Sequence, residues 1–563
     1  MEQIRSNEAL AELLATQEIE IGWHYFIDYL EKITEITPEE IKLAASRYIE
    51  PNRKNSVYVI PGNEPETERA PYEENRAPKS SAAAKPAPAV VPQVNFSIYP
   101  TPEGWKHPLA FKRKPKKIQF PQADIIEVGK TTVFYLADNE LPMIHLNLLV
   151  KAGAVDLPDN LTGLDHLFER CLIRGGTKNF SPEEFATLLD ENAVGLSVKV
   201  LEEQTTLTLS VLKEDWEKGL AFLTEILTQP GFDPGILTAS KSQILTELRR
   251  QGGDAEAVAG REIMLQHFRN HPYGRDPLLA LNTLPALTDQ DLRQFLRTYF
   301  MPNNMVISVA GDISREKLTA DLHKLLQSLS VSEKPVRNLA EPPENPPVLA
   351  LVHKPGQSQS QVFLALPGLK RTHADYWKMD LLMDILGGEA GLLSQRLREE
   401  LGLVYSSGFY QTYKWQTGLL IGYLSSRSDL TAETIQETVK IMNRLRIEVP
   451  VEELEQKRLA QLNSFVFSLD TPAALVDAYS RYYLRGEDLN TLEKIQEAYL
   501  TASKKELEAL AKRWLDQRKL QIVIVADKTT PIKRGEGPEV TLEQDLKALA
   551  ERLNLPYQEI PLR

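Results

Sequence analysis

The chain has little of what marks several large classes of protein. Its one cysteine, Cys171, excludes a disulfide bond within the chain. No run of eighteen or more apolar residues occurs, which excludes a membrane-spanning helix, and residues 1–5 lack the apolar core of a signal peptide. Basic residues are not in excess either: the net charge of −13 argues against a protein that binds nucleic acid.

The composition that remains is that of a globular protein, with 42% hydrophobic and 25% charged residues. A chain of 563 residues is too long for one hydrophobic core and predicts three or four domains. We therefore expect a soluble protein of several domains, without a membrane span.

The most informative stretch runs from His166 to Arg170 and reads HLFER. Residues four apart share one face of a helix, so H-x-x-E-H would direct two imidazoles at one metal ion with a carboxylate beside them. That order is the inverzincin signature. Here the fifth position is Arg170, whose permanent positive charge excludes it as a zinc ligand. Taken alone, H-x-x-E is weak evidence, because a His and a Glu at this spacing occur by chance in many helices.

The residues around the motif make it more specific. An alternating stretch from Thr132 to Val150 predicts two strands around a turn at residues 138–140. Glycine-containing segments follow at 151–154, 163–166 and 174–177. This order resembles the pitrilysin/insulysin family of zinc metallopeptidases with an inverted motif, which includes the mitochondrial processing peptidase.

The resemblance implies roles for several residues of the motif. His166 would be a zinc ligand and Glu169 the general base. The family adds a third ligand, a glutamate 76 residues beyond the motif, and that position is Glu247, within a helix predicted over 237–250. Another acid often lies two turns earlier on that helix in the family; here the position is Ser240.

A second family mark lies far downstream, in the segment LREELGLVY from Leu397 to Tyr405. It resembles the arginine–tyrosine segment through which the C-terminal half of the family's unit helps to bind substrate. By that resemblance Arg398 and Tyr405 would donate hydrogen bonds to the substrate backbone or to a developing oxyanion. The alternative is an ordinary amphipathic helix end followed by a core tyrosine.

A repeated layout predicts three homologous domains. Each repeat has a Ser or Thr cap with an acid three positions later, a helix with an aromatic residue eleven positions after the cap, and then an apolar strand. The caps are Thr37, Thr288 and Ser503, and the strands are predicted at 56–60, 305–310 and 520–526. The intervals of 251 and 215 residues suit domains, but only about 36 residues precede the first cap. We therefore expect the chain to open inside a domain.

The predicted fold class is α+β, with helices laid on mostly antiparallel sheets. The resemblance implies two homologous peptidase-like domains that close as a clamshell around a peptide chamber, preceded by the tail of a third. The predicted divisions are a C-terminal remnant of a preceding domain (1–62), a Pro/Ala-rich linker (63–99), an N-terminal-type domain with the altered motif (100–332), a linker (333–347), a C-terminal-type domain with the arginine–tyrosine segment (348–530), and a C-terminal extension (531–563).

The altered motif predicts an ion pair in place of the metal. We expect Arg170 to lie near where the zinc charge would lie and to pair with Glu247 or Glu169 in a buried contact that closes the pocket. Zinc, which the resemblance implies for the family, would then be absent or held weakly by His166 and Glu247. Arg170 in the place of a zinc ligand predicts that the chain is inactive by itself.

Three functions remain open from the sequence. The first is the non-catalytic, peptide-binding half of a bipartite metallopeptidase, paired with a zinc-bearing homologous subunit or an upstream tandem half. The second is an active zinc metalloendopeptidase with an unusual ligand set, and the third is a non-enzymatic scaffold of the same fold. The sequence does not give the compartment; exported bacterial proteins of the family suggest the periplasm if the true N-terminus lies upstream.

Overall fold

The computed structural model describes residues 7–49, 104–106, 117–333, 335–337, 339–533 and 537–563. The chain divides into one unit within Met1–Lys114 and a second from Pro115 to Arg563. Within the described residues, no helix is both long enough and apolar enough to cross a membrane.

The first unit contains three helices: α1 (Asn7–Glu20), α2 (His24–Glu35) and α3 (Pro38–Tyr48). Helix α3 begins at the predicted cap. The Thr37 hydroxyl accepts from the Glu40 backbone N–H at 3.3 Å, and the Glu40 carboxylate accepts from the Thr37 N–H at 2.9 Å. The strand predicted at 56–60 and the linker predicted at 63–99 lie outside the described residues.

The second unit begins with a six-stranded sheet in the order β1-β2-β6-β3-β5-β4. Its strands are β1 (Asp124–Val128), β2 (Thr131–Ala137), β3 (Met143–Val150), β4 (Gly195–Val200), β5 (Thr205–Leu212) and β6 (Met305–Gly311). The helices of this half are α4 (Leu164–Cys171), α5 (Pro182–Glu191), α6 (Trp216–Thr228), α7 (Pro234–Gly253), α8 (Ala255–His267), α9 (Ala280–Thr283), α10 (Asp289–Tyr299) and α11 (Arg315–Ser328). Strands β2 and β6 are parallel, and the other neighbouring pairs are antiparallel.

A second six-stranded sheet has the order β14-β7-β11-β8-β10-β9. Its strands are β7 (Val348–His353), β8 (Gln359–Gly368), β9 (Val404–Tyr413), β10 (Gly418–Arg427), β11 (Gln521–Ala526) and, after a short hairpin of β12 (Pro531–Ile532) and β13 (Val540–Thr541), β14 (Tyr557–Ile560). The helices are α12 (Tyr376–Gly387), α13 (Thr431–Leu445), α14 (Val451–Phe467), α15 (Pro472–Leu484), α16 (Thr491–Thr501), α17 (Lys504–Trp514) and α18 (Leu542–Leu553). Strand β7 is parallel to β11 and β14, and the other pairs are antiparallel.

These two sheets confirm the predicted α+β class with mostly antiparallel sheets. Two pairings go beyond the sequence analysis. Strands β2 and β3, which follow each other in the sequence, are separated by β6, which pairs with both. Strand β14, from the predicted C-terminal extension, pairs with β7 and forms an edge of the second sheet.

The two halves of this unit exchange helices. Helix α8, from the first half, packs on β8 and β11 of the second sheet. Helix α15, from the second half, packs on β2, β3 and β6 of the first sheet. Strand β6 is therefore covered on both faces, which explains its continuous apolar run: Val306 faces the core that contains α15, and Ile307 faces the core of the first half. The Asn147 amide also donates to the Asp477 carboxylate across the exchange, at 3.0 Å.

Candidate functional site

Helix α4 carries the altered motif, and a glycine fixes where the helix begins. Gly163 has a φ of +93°, and a Cβ there would lie 3.0 Å from the Cβ of Ala280, so both backbone and packing favour glycine. One face of α4 is buried, at Leu164, Leu167, Phe168 and Cys171. Burial raises the pKa of the Cys171 thiol.

The other face of α4 presents Arg170, which is bonded to α7. Its Nη2 donates to Glu247 Oε2 at 2.8 Å, and its Nη1 donates to Gln243 Oε1 at 3.1 Å. The pair is not buried, however: the side chains of Arg170 and Glu247 are 28% and 51% exposed. The predicted ion pair is present, but the prediction that it is buried is wrong, because the outer face of α7 is open to solvent at this turn.

Glu169 is bonded to β4 and not to Arg170. Its carboxylate accepts from the Lys199 ammonium at 2.8 Å and from the backbone N–H of Val200 at 2.9 Å. Both oxygens are therefore engaged with the end of an edge strand. A general base has to reach a reacting proton or water, so this carboxylate would first have to leave its partners on β4.

His166 lies in a small pocket and is mostly exposed. Its Nε2 lies 3.9 Å from Asp165 Oδ2, and its side chain is 58% exposed. The pocket has a volume of about 120 Å³, and Glu202, Tyr273 and Arg275 contribute to its lining.

The residues of this site do not fit a zinc ion as they are placed. Within the described parts of the chain, no group of three or more His, Cys, Asp or Glu side chains could hold a metal ion. Of the family's ligand positions, His166 still provides an imidazole, but the Glu247 carboxylate is paired with a guanidinium. A structural or catalytic zinc site needs at least three protein ligands, and here a cation lies on one of the two that remain.

The second half of the unit reaches the edge of this pocket through the turn between β9 and β10. The Lys414 ammonium forms an ion pair with Glu202. Next to it, the backbone N–H of Trp415 lies 3.0 Å from both carboxylate oxygens of Glu203, and the Tyr273 hydroxyl donates to Glu203 Oε1 at 2.6 Å. These contacts join the two halves beside His166.

Burial raises the pKa of two side chains at this junction, Glu203 and Tyr273. Glu203 is buried, and burial raises the pKa of its carboxyl, opposed by the hydrogen bonds from Tyr273 and Trp415. The pKa of Tyr273 is also raised, first by burial and then by its bond to Glu203. Glu203 therefore keeps its proton to a higher pH than an exposed glutamate does.

The segment between the halves adds a further contact. The Arg337 side chain donates to Asp156 from Nε at 2.8 Å, and its guanidinium lies 4.6 Å from the centre of the Trp415 ring. This arginine, in the linker predicted at 333–347, thus contacts both halves of the unit.

Arg398 and Tyr405 lie on the second half, outside the lining of the His166 pocket. Arg398 is exposed on a π-helical segment, Ser394–Glu400. Tyr405 is 77% exposed on β9, where the register with β10 shifts between Ser425 and Ser426 and leaves Tyr405 without a cross-strand partner. Such bulges redirect side chains. The alternative of a core tyrosine is therefore wrong, while the substrate-binding role of both residues stays a prediction.

Several residues of the site were not found from the sequence. Gln243 had a local signal, since it lies one turn before Glu247 on a predicted helix and so shares its face. Lys199, Glu203 and Trp415 had none, because each meets its partner through the pairing of distant segments.

The fold and the HLFER helix define a protein with the architecture of an inverted-motif metallopeptidase. Family models agree: "Insulinase (Peptidase family M16)" matches residues 133–279 and "Peptidase M16 inactive domain" matches residues 286–460. The chain belongs to peptidase family M16, the family of pitrilysin and insulysin.

Relatives and solved structures extend this result. The chain is 24% identical to a non-peptidase homolog, YmxG, of Helicobacter pylori over 72% of this chain and 93% of the relative. It is 24% identical to a probable mitochondrial-processing peptidase subunit beta of Schizosaccharomyces pombe over 60% of this chain and 76% of that one. The crystal structure of a peptidase M16 inactive domain from Pseudomonas fluorescens aligns with a TM-score of 0.67 at 20% identity, over 74% of this chain and 100% of that one.

Proposed function

We propose that this chain is the non-catalytic, polypeptide-binding half of a bipartite M16 assembly. The observation that carries the proposal is the bond from Arg170 to Glu247. A guanidinium lies on the carboxylate that the family uses as a ligand, and it repels a divalent cation there. The H. pylori relative named a non-peptidase homolog supports the same conclusion.

The state of Glu169 supports the loss of catalysis independently of the metal. In an active site of this type the carboxylate takes a proton from a zinc-bound water. Here it accepts from Lys199 and Val200 and thereby ties α4 to β4. The motif glutamate thus has a structural use that does not require activity.

Peptide binding is proposed on the second half, around Tyr405 and Arg398. Tyr405 offers a large exposed ring and a hydroxyl on a bulged edge strand, and Arg398 is exposed on the preceding helical segment. Tyrosine and arginine, together with tryptophan, are enriched among the residues that contribute most to binding at protein interfaces. An edge strand can also pair with an extended peptide through its backbone.

The test is binding and cleavage of a fluorescein-labelled unstructured peptide by the full chain. We expect saturable binding by fluorescence anisotropy, no cleavage by mass spectrometry, and no effect of a chelator on binding. Tyr405→Ala and Arg398→Ala should each weaken binding about tenfold, the effect of losing about 1.4 kcal/mol. Tyr410→Ala is the control, since it removes a tyrosine from the same strand.

Other outcomes decide against the proposal. Cleavage that is abolished by a chelator and by Glu169→Gln would establish an active metalloendopeptidase with an unusual ligand set. If Tyr410→Ala loses peptide binding and Tyr405→Ala retains it, the peptide does not bind at Tyr405.

The proposed partner is a zinc-bearing homologous unit, as a subunit or a tandem half. The relative named a subunit of the mitochondrial-processing peptidase supports a shared assembly. Co-purification from source cells should recover an M16 protein with an intact H-x-x-E-H motif in constant ratio to this chain. Recovery of this chain without such a protein would contradict the bipartite assembly.

A non-enzymatic scaffold is the second candidate, and the contacts that hold the two halves together favour it. The halves are joined beside His166 by Lys414 with Glu202 and by Trp415 with Glu203, and they exchange α8 and α15. A scaffold predicts no saturable binding of the labelled peptide. The anisotropy titration therefore separates the two candidates.

A further inference from the structure

The first unit contains a helix pair that repeats α16 and α17. Helix α2 has 12 residues and α16 has 11, and both α3 and α17 have 11. In each pair two residues join the helices, and the second of them is the capping residue, Thr37 or Ser503. The capping residues therefore align the two pairs without insertions.

The aligned helices have apolar residues at the same positions after the cap. Positions four, seven and eight are Leu507, Leu510 and Ala511 in α17, Leu292, Phe295 and Leu296 in α10, and Ile41, Ala44 and Ala45 in α3. All of these residues are buried in α17 and α10. In α3, Ile41 is 61% exposed and no residue of the helix is buried. The same apolar face thus has a core against it twice, and is exposed in the third case.

The residue just after the helix shows the contrast most sharply. Position twelve is Phe300 after α10, Leu515 after α17 and Ile49 after α3. Phe300 and Leu515 are 3% and 0% exposed, whereas Ile49 is 79% exposed. Ile49 thus occupies the position that is filled by a core residue in each of the other two repeats, and an isoleucine at such a position is typical of a buried site.

Helix α2 agrees with α16 in the same register. Counting back from the cap, Tyr25, Tyr29, Ile33 and Ile36 occupy the positions of Thr491, Ile495, Tyr499 and Ala502. The four residues of the second half are buried, and the four of the first unit are exposed. Large apolar side chains exposed along one continuous face mark an interaction surface.

The charge of this segment argues against association with a second copy. Residues 7–49 carry nine acidic and three basic side chains. Two such surfaces would repel each other at close range. In a second copy, α17 and α10 already pack on the cores of their own halves.

We propose that the face formed by Tyr25, Tyr29, Ile33, Ile36, Ile41, Ala45 and Ile49 packs into the core of a further M16 domain, outside residues 117–563, in the position that α16 and α17 occupy in this chain. The occupant is the sheet-bearing body of that domain. This follows from what α17 and α10 do: each lies on its own domain's core and leads into a central strand, β11 or β6. The proposal rests on the proposed function in one respect, the existence of a second homologous unit.

The test places a photo-crosslinking amino acid, p-benzoylphenylalanine, at Ile41 of the full chain in source cells. We expect the crosslinked peptide, identified by mass spectrometry, to come from a sheet or core segment of an M16 domain other than residues 117–563. Ser46 is the control position, because the two residues aligned with it, Arg297 and Lys512, are exposed. Little crosslinking is expected there.

A second variant tests the face itself. Ile36→Glu with Ile49→Glu should reduce crosslinking from Ile41 at least about tenfold, since an unpaired buried charge costs several kcal/mol. Crosslinks to residues 117–563 of the same chain, to residues 24–49 of another copy, or no more than at Ser46 would each overturn the proposal. Binding of the labelled peptide distinguishes the two proposals. If the double variant binds the peptide but no longer crosslinks, both proposals are supported. If the unsubstituted chain does not bind the peptide, only the proposed function is contradicted.

Discussion

Arg170 donates from Nη2 to Glu247 Oε2 at 2.8 Å, so the fifth residue of the HLFER motif is bonded to the residue that the family resemblance implies as a zinc ligand. The guanidinium also reaches Gln243, one turn away on α7. Through these two bonds Arg170 connects α4 to α7. The consequences of this bond can be measured.

Replacing Arg170 should change metal binding. Arg170→His restores a third ligand and releases the Glu247 carboxylate, so we expect zinc to bind near one equivalent and to survive dialysis. Zinc is measured by plasma mass spectrometry. Arg170→Gln removes the charge without adding a ligand and should bind much less. Equal zinc in the unsubstituted chain and in Arg170→His would contradict the ion-pair interpretation.

Removing Arg170 should lower stability only slightly. Because both partners are partly exposed, we expect Arg170→Ala to reduce the free energy of unfolding by about 0.5–1 kcal/mol, and the coupling with Glu247→Ala to be about 0.5 kcal/mol. Urea unfolding of the two single variants and the double variant gives these values. A loss above about 3 kcal/mol would indicate a buried pair.

Glu169 should matter for stability more than a catalytic glutamate would. Its carboxylate accepts two hydrogen bonds that join α4 to β4. We expect Glu169→Ala to cost about 1–2 kcal/mol and Glu169→Gln less, because the amide oxygen can still accept from Val200. Thermal and urea unfolding check this order. Glu183→Ala, at an exposed position of α5, is the control, with a change within about 0.5 kcal/mol.

Glu203 should make a contribution to the stability of the second unit that falls as pH rises above about 4.5. Its pKa is raised in the folded protein, so the folded state binds a proton that the unfolded state releases near pH 4.5. Its contribution to stability therefore falls as pH rises from about 4.5 through the folded pKa, and is constant above it. In Glu203→Gln this fall is absent, so the Tm of the unsubstituted chain minus that of the variant should decrease with rising pH.

Tyr273→Phe provides the matched comparison for that series. The Tyr273 hydroxyl donates to Glu203 and opposes the rise of its pKa. Without it the folded pKa should rise further, and the decline in stability should extend to higher pH. The measurement is Tm over about pH 4 to 8 for the three proteins. A decline that is unchanged in Glu203→Gln would assign it to other groups.

Local signals predicted much of the fold. The capping residues Thr37 and Ser503 mark where α3 and α17 begin, because a capping box is made by residues three apart. The motif residues were predicted on one helix for a different local reason, because residues four apart share a helix face. The sequence analysis gave two possible partners for Arg170, Glu247 and Glu169, and the structure has the first of them.

What the sequence did not reveal depends on distant pairing. Nothing near residue 140 indicates that β6 enters between β2 and β3, because the strand comes from more than 150 residues downstream. The exposure of the Arg170–Glu247 pair depends on how α7 lies against its neighbours. The bond from Val200 to Glu169 depends on where β4 ends.

The exchange of α8 and α15 determines what a break between the halves would do. Each half keeps a helix of the other on its sheet, so a protease that cuts between residues 339 and 347 would leave two chains that remain interlocked. Separation would require both helices to leave apolar surfaces at once. A nicked protein should therefore migrate as one particle in solution and split only in denaturant.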